Sequence, residues 1–199
     1  MTEPVKSRLQ LKAEDKQQRI IEAATRLFAE KGFHGTAVPE VASLAQVGAG
    51  TIYRYFDSKE ALVNAVFQHA KSHLKDCLIT NFNFEASPRA LFHQFWQRLT
   101  GFAKDHPIEF RFLELQDHVP YLDQHNRNLE LEILAPIWAF CVKSKLEGVA
   151  RNMPAEALMA MIWGSLVGLM KAEHLGYLVV NEETLAQAED TCWAMFSVA

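Results

Sequence analysis

Between Val47 and Phe56 the chain reads Val-Gly-Ala-Gly-Thr-Ile-Tyr-Arg-Tyr-Phe, a stretch that crowds hydrogen-bonding groups together without any catalytic pairing. Small residues come first (Gly48, Ala49, Gly50), and Thr51, Tyr53, Arg54 and Tyr55 follow. Ile52 and Phe56 stand four apart, so a helix would put both on one buried face and turn Thr51, Arg54 and Tyr55 largely away from it. The small residues would let such a helix bring its backbone to a phosphate chain while its side chains reach into a major groove. An ordinary surface helix with two tyrosines would read the same way, so the surrounding elements must decide.

Other groupings with chemical potential are weaker. His69, His73 and Cys77 fall at i, i+4 and i+8, a spacing that can supply metal ligands. They also extend the apolar stripe of Leu62 and Val66, which assigns them to packing; no metal is assigned. His118 and His125, in a polar loop beside Asp117 and Asp123, are read as packing residues too. Gly48-Ala49-Gly50 lacks the third glycine, the preceding strand and the βαβ setting of a dinucleotide fingerprint. There is no H-E-x-x-H, no G-x-S-x-G and no P-loop, so nothing supports an enzyme or a cofactor.

The elements around the opening stretch give it a setting. A helix from about Asp15 carries Ile20, Ile21, Ala24, Leu27 and Phe28 on one stripe and stops at Lys31-Gly32. Thr36 opens a second, short helix that tolerates Pro39 in its first turn. Gln46-Val47-Gly48 then connects it to the opening stretch as a helix-turn-helix, a motif whose second helix is the usual recognition element. Asp57 with Glu60 matches a capping box for a fourth helix ending near Cys77. Before all of these, residues 1–13 carry Lys6, Arg8 and Lys12 against Glu3 and read as a flexible basic arm.

Composition agrees. The chain has 199 residues, 49% hydrophobic and 22% charged, as in soluble globular proteins. Its net charge of −4 is unevenly spread: residues 1–77 balance at +2 and residues 78–199 at −6. The sign suits an N-terminal polyanion contact. Cys77, Cys141 and Cys192 form no C-x-x-C pair, and no secretory signal is evident, which together suggest a reducing cytoplasm. The apolar run Ala157–Met170 is 14 residues long, short of the roughly 20 that span a bilayer, so no membrane partner is expected.

Residues 19–62 resemble the DNA-binding domain of the TetR family of transcriptional regulators. The likeness runs through Ile21-x-x-Ala24-x-x-Leu27-Phe28, Gly32-Phe33-x-x-Thr36 and Val41-Ala42. It continues through Val47-x-x-Gly50-Thr51-Ile52-Tyr53-x-Tyr55-Phe56 and Ser58-Lys59-Glu60-x-Leu62. The resemblance implies phosphate contact by Thr36 and Lys59, backbone contact by Tyr53 and Tyr55, and base-edge contact by Arg54. Where the family commonly has Ser and Lys, this chain has Gly48 and Ala49, which removes a cation beside the DNA.

Beyond residue 80 the pattern is helical throughout. Helices are expected from Ser87-Pro88, from Pro107, over Asp123–Glu147 with a kink or break at Pro136, over Pro154–Gly176, and over Glu182–Ser197 capped by Asn181. Of the 21 aromatic residues 15 lie after residue 78. Phe92, Phe95, Trp96, Phe110, Trp138 and Trp163 are candidates to line an apolar cavity rather than fill a core. Gly164 and Gly168 allow a close helix–helix approach. With Trp193 on the final helix, they mark a candidate two-fold interface, because the family resemblance implies dimerisation through the last two helices.

The reading is therefore an all-α chain with a three-helix helix-turn-helix domain at 14–60 and a larger helical ligand-binding and dimerisation domain at 61–199. The expected partners are a near-palindromic double-stranded DNA site, a second copy of the chain and a largely apolar small-molecule inducer. An architectural DNA-binding protein of the same fold, answering to no small molecule, is the alternative.

Overall fold

The computed structural model describes residues 8–118 and 120–198. Its elements are α1 (Arg8–Gly35), α2 (Val38–Leu44), α3 (Ala49–Ile52), α4 (Lys59–Ile79) and α5 (Pro88–Asp105). They continue with α6 (Pro107–Leu115), α7 (Gln124–Leu146), α8 (Ala155–His174) and α9 (Glu182–Phe196). Among the described residues there is no strand, only an isolated bridge between Ala150 and Ser197.

α1 forms because its apolar stripe has helical period, and Ile20, Ala24, Leu27 and Phe28 are all buried. It begins earlier than the sequence suggests, so residues 8–13 of the expected arm are helical; the rest of the arm lies outside the described residues. The expected stop at Gly32 is present as a kink with φ 69° and ψ 176°. That left-handed region is open to glycine at little cost. A Cβ at Gly32 would also come within 3.0 Å of Gln116 Oε1.

Other boundaries differ from expectation too. Thr36 does not open α2; Ala37 is the N-cap, and the Glu40 carboxylate accepts from its backbone N–H at 3.2 Å. The cap of α4 is Ser58 rather than Asp57, its hydroxyl accepting from the Ala61 N–H at 3.1 Å. α7 runs without a break through Pro136. The carbonyl that the proline leaves without its helical partner is that of Glu132, an exposed residue.

α4 is the axis of the molecule, packed against α1, α5, α6 and α7. α6 rests on α1, where Phe112 meets Phe28 with ring centroids 6.3 Å apart. α9 is clamped to α5 by buried Glu189, which accepts hydrogen bonds from Arg89 and from Gln97 and pairs with His93 Nδ1 at 2.9 Å. Burial opposes the Glu189 carboxylate, but the bonds from Arg89 and His93 outweigh it and hold its pKa below the ordinary value. Arg98 closes the far end of α4 by donating to the carbonyls of Leu78, Thr80 and Asn81. At the near end a buried polar knot joins α4 to α7. Asn64 Nδ2 donates to the Tyr121 carbonyl at 2.8 Å, and Asn64 Oδ1 accepts from the Asp123 N–H at 2.9 Å and Asn126 Nδ2 at 3.0 Å.

Candidate DNA interface and ligand cavity

The turn between α2 and α3 is built on Gln46, whose φ of 55° ends α2 without a glycine. The Val47 N–H returns to the Ala42 carbonyl at 2.9 Å, closing a six-residue cap that fixes the angle of the two helices. α3 is four residues long, shorter than the two-turn helix expected over the opening stretch. After Ile52 the backbone tightens: the Arg54 N–H bonds to the Thr51 carbonyl and the Tyr55 N–H to Ile52, both three residues back. Ile52 and Phe56 are buried as expected, leaving Gly50, Tyr53 and Arg54 exposed and Thr51, Tyr55 and Lys59 half-buried. Lys59 Nζ lies 4.4 Å over the Phe33 ring.

Thr36 requires correction. It is only 2% exposed, and its hydroxyl donates toward the carbonyls of Leu27 at 3.1 Å and Gly32 at 2.9 Å. A side chain used to tie α1 across its own kink cannot reach a phosphate. Its work is to hold the approach to α2.

In the larger part of the chain, α4, α5, α7 and α8 enclose a cavity of about 740 Å³. Phe92, Phe95, Trp138 and Trp163 line it; Trp96 and Phe110, also expected there, do not. Trp96 is sealed between α5 and α9, its indole N–H donating to the Leu185 carbonyl at 3.1 Å. Phe110 is buried where α6 packs among its neighbours. The lining residues that sequence reasoning missed include Phe82 and Phe84 between α4 and α5, and Leu131, Ile133 and Leu134 on α7.

The cavity has one charged end. Lys71 Nζ lies 3.3 Å from Glu130 and 3.7 Å from Glu114 Oε1, while the Trp163 indole donates to Glu114 Oε2 at 2.7 Å. Glu114 Oε1 has no hydrogen-bond partner, and burial pushes the carboxyl pKa up despite Lys71 and Trp163. Lys71 falls on the stripe of Phe67, Leu74 and Leu78, a charge on an apolar face that could have flagged the site. At the rim, the half-exposed Trp138 donates to Glu156 at 2.8 Å.

The outward faces of α8 and α9 complete the candidate surfaces. Gly164 and Gly168 are exposed, and a Cβ at either would meet nothing within 4 Å. Trp193, expected beside them, turns into the chain instead, edge-on to Phe92 at 5.3 Å and against Phe196. α8 is 20 residues long and apolar enough to cross a membrane by length and composition, yet only 22% of its apolar window is buried within the chain.

A helix-turn-helix head carried on a larger helical body with an apolar cavity defines the class of helix-turn-helix DNA-binding regulators. Comparison gives the family. Residues 20–66 match the model of bacterial regulatory proteins of the tetR family, and residues 67–198 match the tetracyclin repressor-like C-terminal domain. The chain belongs to the TetR family of DNA-binding transcriptional regulators. The helix-turn-helix transcriptional regulator YhgD of Bacillus subtilis is 45% identical over 53 residues, 27% of this chain and 28% of that protein. The match thus spans less than a third of that relative's length. A TetR family regulator from Marinobacter aquaeolei superposes with a TM-score of 0.83 at 21% identity, over 94% of this chain and 98% of that one. AibR, solved with isovaleryl coenzyme A and operator DNA, superposes with a TM-score of 0.71 at 15% identity, over 90% and 97%. These two likenesses concern the fold.

Proposed function

We propose that the chain is a homodimeric repressor that leaves a near-palindromic DNA site when a small, largely apolar ligand fills the cavity. The head, residues 14–60, engages DNA. Arg54 reads a base edge, Tyr53, Tyr55 and Lys59 contact the backbone, and Gly50 and Thr51 allow the close approach. Residues 61–199 bind the ligand and the second copy. The exposed stripe of Met161, Gly164 and Gly168 on an apolar, largely unburied α8 supports pairing of like surfaces about a two-fold axis.

The observation that carries the ligand reading is the cavity itself, with apolar walls and a buried polar end at Lys71 and Glu114. A ligand with an apolar body and one hydrogen-bonding group would fill the volume and give Glu114 Oε1, which has only Lys71 at 3.7 Å, a hydrogen-bond partner. α7 supplies a wall of the cavity, and its N-terminus is knotted to Asn64 on α4, the helix that begins at the head. Movement of α7 therefore reaches the DNA side through buried hydrogen bonds. A ligand changes DNA affinity only by its differential affinity for the two head arrangements, and DNA must weaken the ligand by the same factor. AibR, captured with both an acyl thioester and operator DNA, supports a fold that holds both.

The test is a thermal-shift screen of medium-chain apolar compounds bearing one polar group, followed by DNA titration with each stabilising compound. Release of DNA is expected, and Leu134→Trp, which puts an indole into the cavity wall, should abolish the response while leaving DNA binding intact. Compounds that bind the cavity tightly and leave DNA affinity unchanged would favour the architectural alternative.

A further inference from the structure

Away from the cavity, the fold gathers a second set of chemically able side chains. His73 and Cys77 stand one turn apart on the same face of α4. His106 is the corner residue that ends α5 and begins α6; its N–H bonds to the Phe102 carbonyl and its own carbonyl accepts from the Phe110 N–H, both at 2.9 Å. His73, Cys77 and His106 each offer one ligand atom, and these atoms all lie within 4.8 Å of one another. The two imidazoles meet edge to face at 4.3 Å, with the Phe102 ring beside both. His69, which the sequence spacing grouped with His73 and Cys77, is not one of the three; a corner 29 residues beyond Cys77 supplies the third ligand instead.

We propose that His73, Cys77 and His106 form a transition-metal site of the Zn²⁺ class that ties α4 to the α5–α6 corner. Two imidazoles and a thiolate are a borderline-soft donor set suited to tetrahedral Zn²⁺. Metal–nitrogen bonds near 2.0–2.1 Å and a metal–sulfur bond near 2.3 Å set tetrahedral edges of about 3.3–3.6 Å. Side-chain rotations of about an ångström close the observed set onto an ion. Glu109, in the first turn of α6, lies 2.7 Å from His73 Nδ1. With Nδ1–H donated to that carboxylate, Nε2 keeps its lone pair for the metal, the carboxylate–histidine arrangement that orients metal-bound imidazoles.

The electrostatic setting points the same way. The carboxylates of Glu109, Asp76 and Asp105 all act on Cys77 electrostatically. Negative charge on that side of the group favours a bound dication. The group is half-buried, so an ion can enter from solvent. Cys141 and Cys192, the other thiols, are buried and belong to no such group among the described residues.

The full chain, kept reduced by a phosphine rather than a thiol, is titrated with Co²⁺. One equivalent should produce the visible bands of tetrahedral cobalt with a thiolate charge-transfer band, and Zn²⁺ should bleach both. Cys77→Ser should remove the charge-transfer band, Cys192→Ser should retain it, and Glu109→Gln should weaken Co²⁺ by about 10–100-fold. His106→Gln, which keeps the thiol and alters only the half-buried corner, should weaken Co²⁺ at least as much while circular dichroism shows the helices intact. A spectrum that stays that of hydrated octahedral cobalt, or a charge-transfer band that survives Cys77→Ser, overturns the site. Neither readout involves DNA or the cavity ligand, so failure here leaves the proposed function untouched.

Discussion

The head and the body hold their recognition groups in opposite ways. In the head, Ile52 and Phe56 are buried so that Tyr53 and Arg54 are presented to solvent. In the body, aromatic and aliphatic side chains of the same helical periodicity stop short of one another and leave about 740 Å³ between them. A group on the outside of a packed turn takes little from the fold that supports it. A residue on a cavity wall has given up neighbours on one side, and with them part of the packing energy that a core position would have gained.

The largest effect should come from setting a filled position against a wall position. Phe112 is fully buried and joins α6 to Phe28 of α1, so Phe112→Ala should cost about 3–5 kcal/mol in urea unfolding. Phe95, half-buried on the cavity wall, already lacks neighbours on one side, and Phe95→Ala should cost clearly less. Equal losses would show that the void collapses in solution.

On the head, Arg54→Ala should weaken the specific site by roughly 1–3 kcal/mol and relax its sequence preference. Lys59→Ala should weaken all duplexes alike and lower the salt slope by about one. If Arg54→Ala instead weakens every duplex equally, the guanidinium contacts phosphate and not a base.

A smaller effect should appear with pH. His118 is buried in the body, where desolvation chiefly lowers its pKa below the ordinary 6.5, and its ring nitrogens pair with the Phe112 carbonyl and the Tyr121 hydroxyl. The unfolded chain therefore takes up this proton first. The contribution of His118 is complete above the unfolded pKa and is lost as pH falls below it toward the folded value. Between about pH 7.5 and 5.5 the wild type should lose more stability than His118→Gln. Glu114, with its raised pKa, acts in the opposite sense but is common to both proteins and drops out of the difference.

The smallest change returns to the head. Gln46 occupies a left-handed conformation that costs a non-glycine residue about 1–2 kcal/mol, and glycine gives back part of that gain through greater freedom when unfolded. Gln46→Gly should stabilise by about 0.5 kcal/mol, read from the urea midpoint, with DNA affinity unchanged. Loss of DNA affinity would mean that the Gln46 side chain takes part in recognition.

What the sequence revealed follows the same division. The caps at Ser87 and Asn181 and the starts at Pro88 and Pro107 were legible because each depends on neighbours within four residues. Arg54 was legible as exposed for the same reason, but Tyr55, also expected to point outward, packs partly against the core, and Tyr53 is the exposed tyrosine. Asp57 and Ser58 are both good caps and adjacent, so only the backbone chooses between them. Thr36 misled because its partners include the Leu27 carbonyl, nine residues away. Trp96 and Phe110 were chosen for the cavity because period reveals which residues turn inward, not whether atoms meet them there. Lys71 and Glu114 come from different helices, and only the fold brings them to one end of a cavity.

The ring stack beneath Lys59 bears on how such chains are recombined. Phe33, over which Lys59 lies, stacks on Tyr121 at 4.5 Å, and the Tyr121 hydroxyl pairs with His118. Lys59, proposed as a phosphate contact, is thus seated on a ring that a tyrosine from the segment between α6 and α7 supports. A head grafted from a relative without an aromatic residue at the position of Phe33 would lose that seat while keeping every residue proposed here to touch DNA. Chimaeras of this chain should therefore carry Phe33 and Tyr121 together, as one inherited unit spanning the apparent domain boundary.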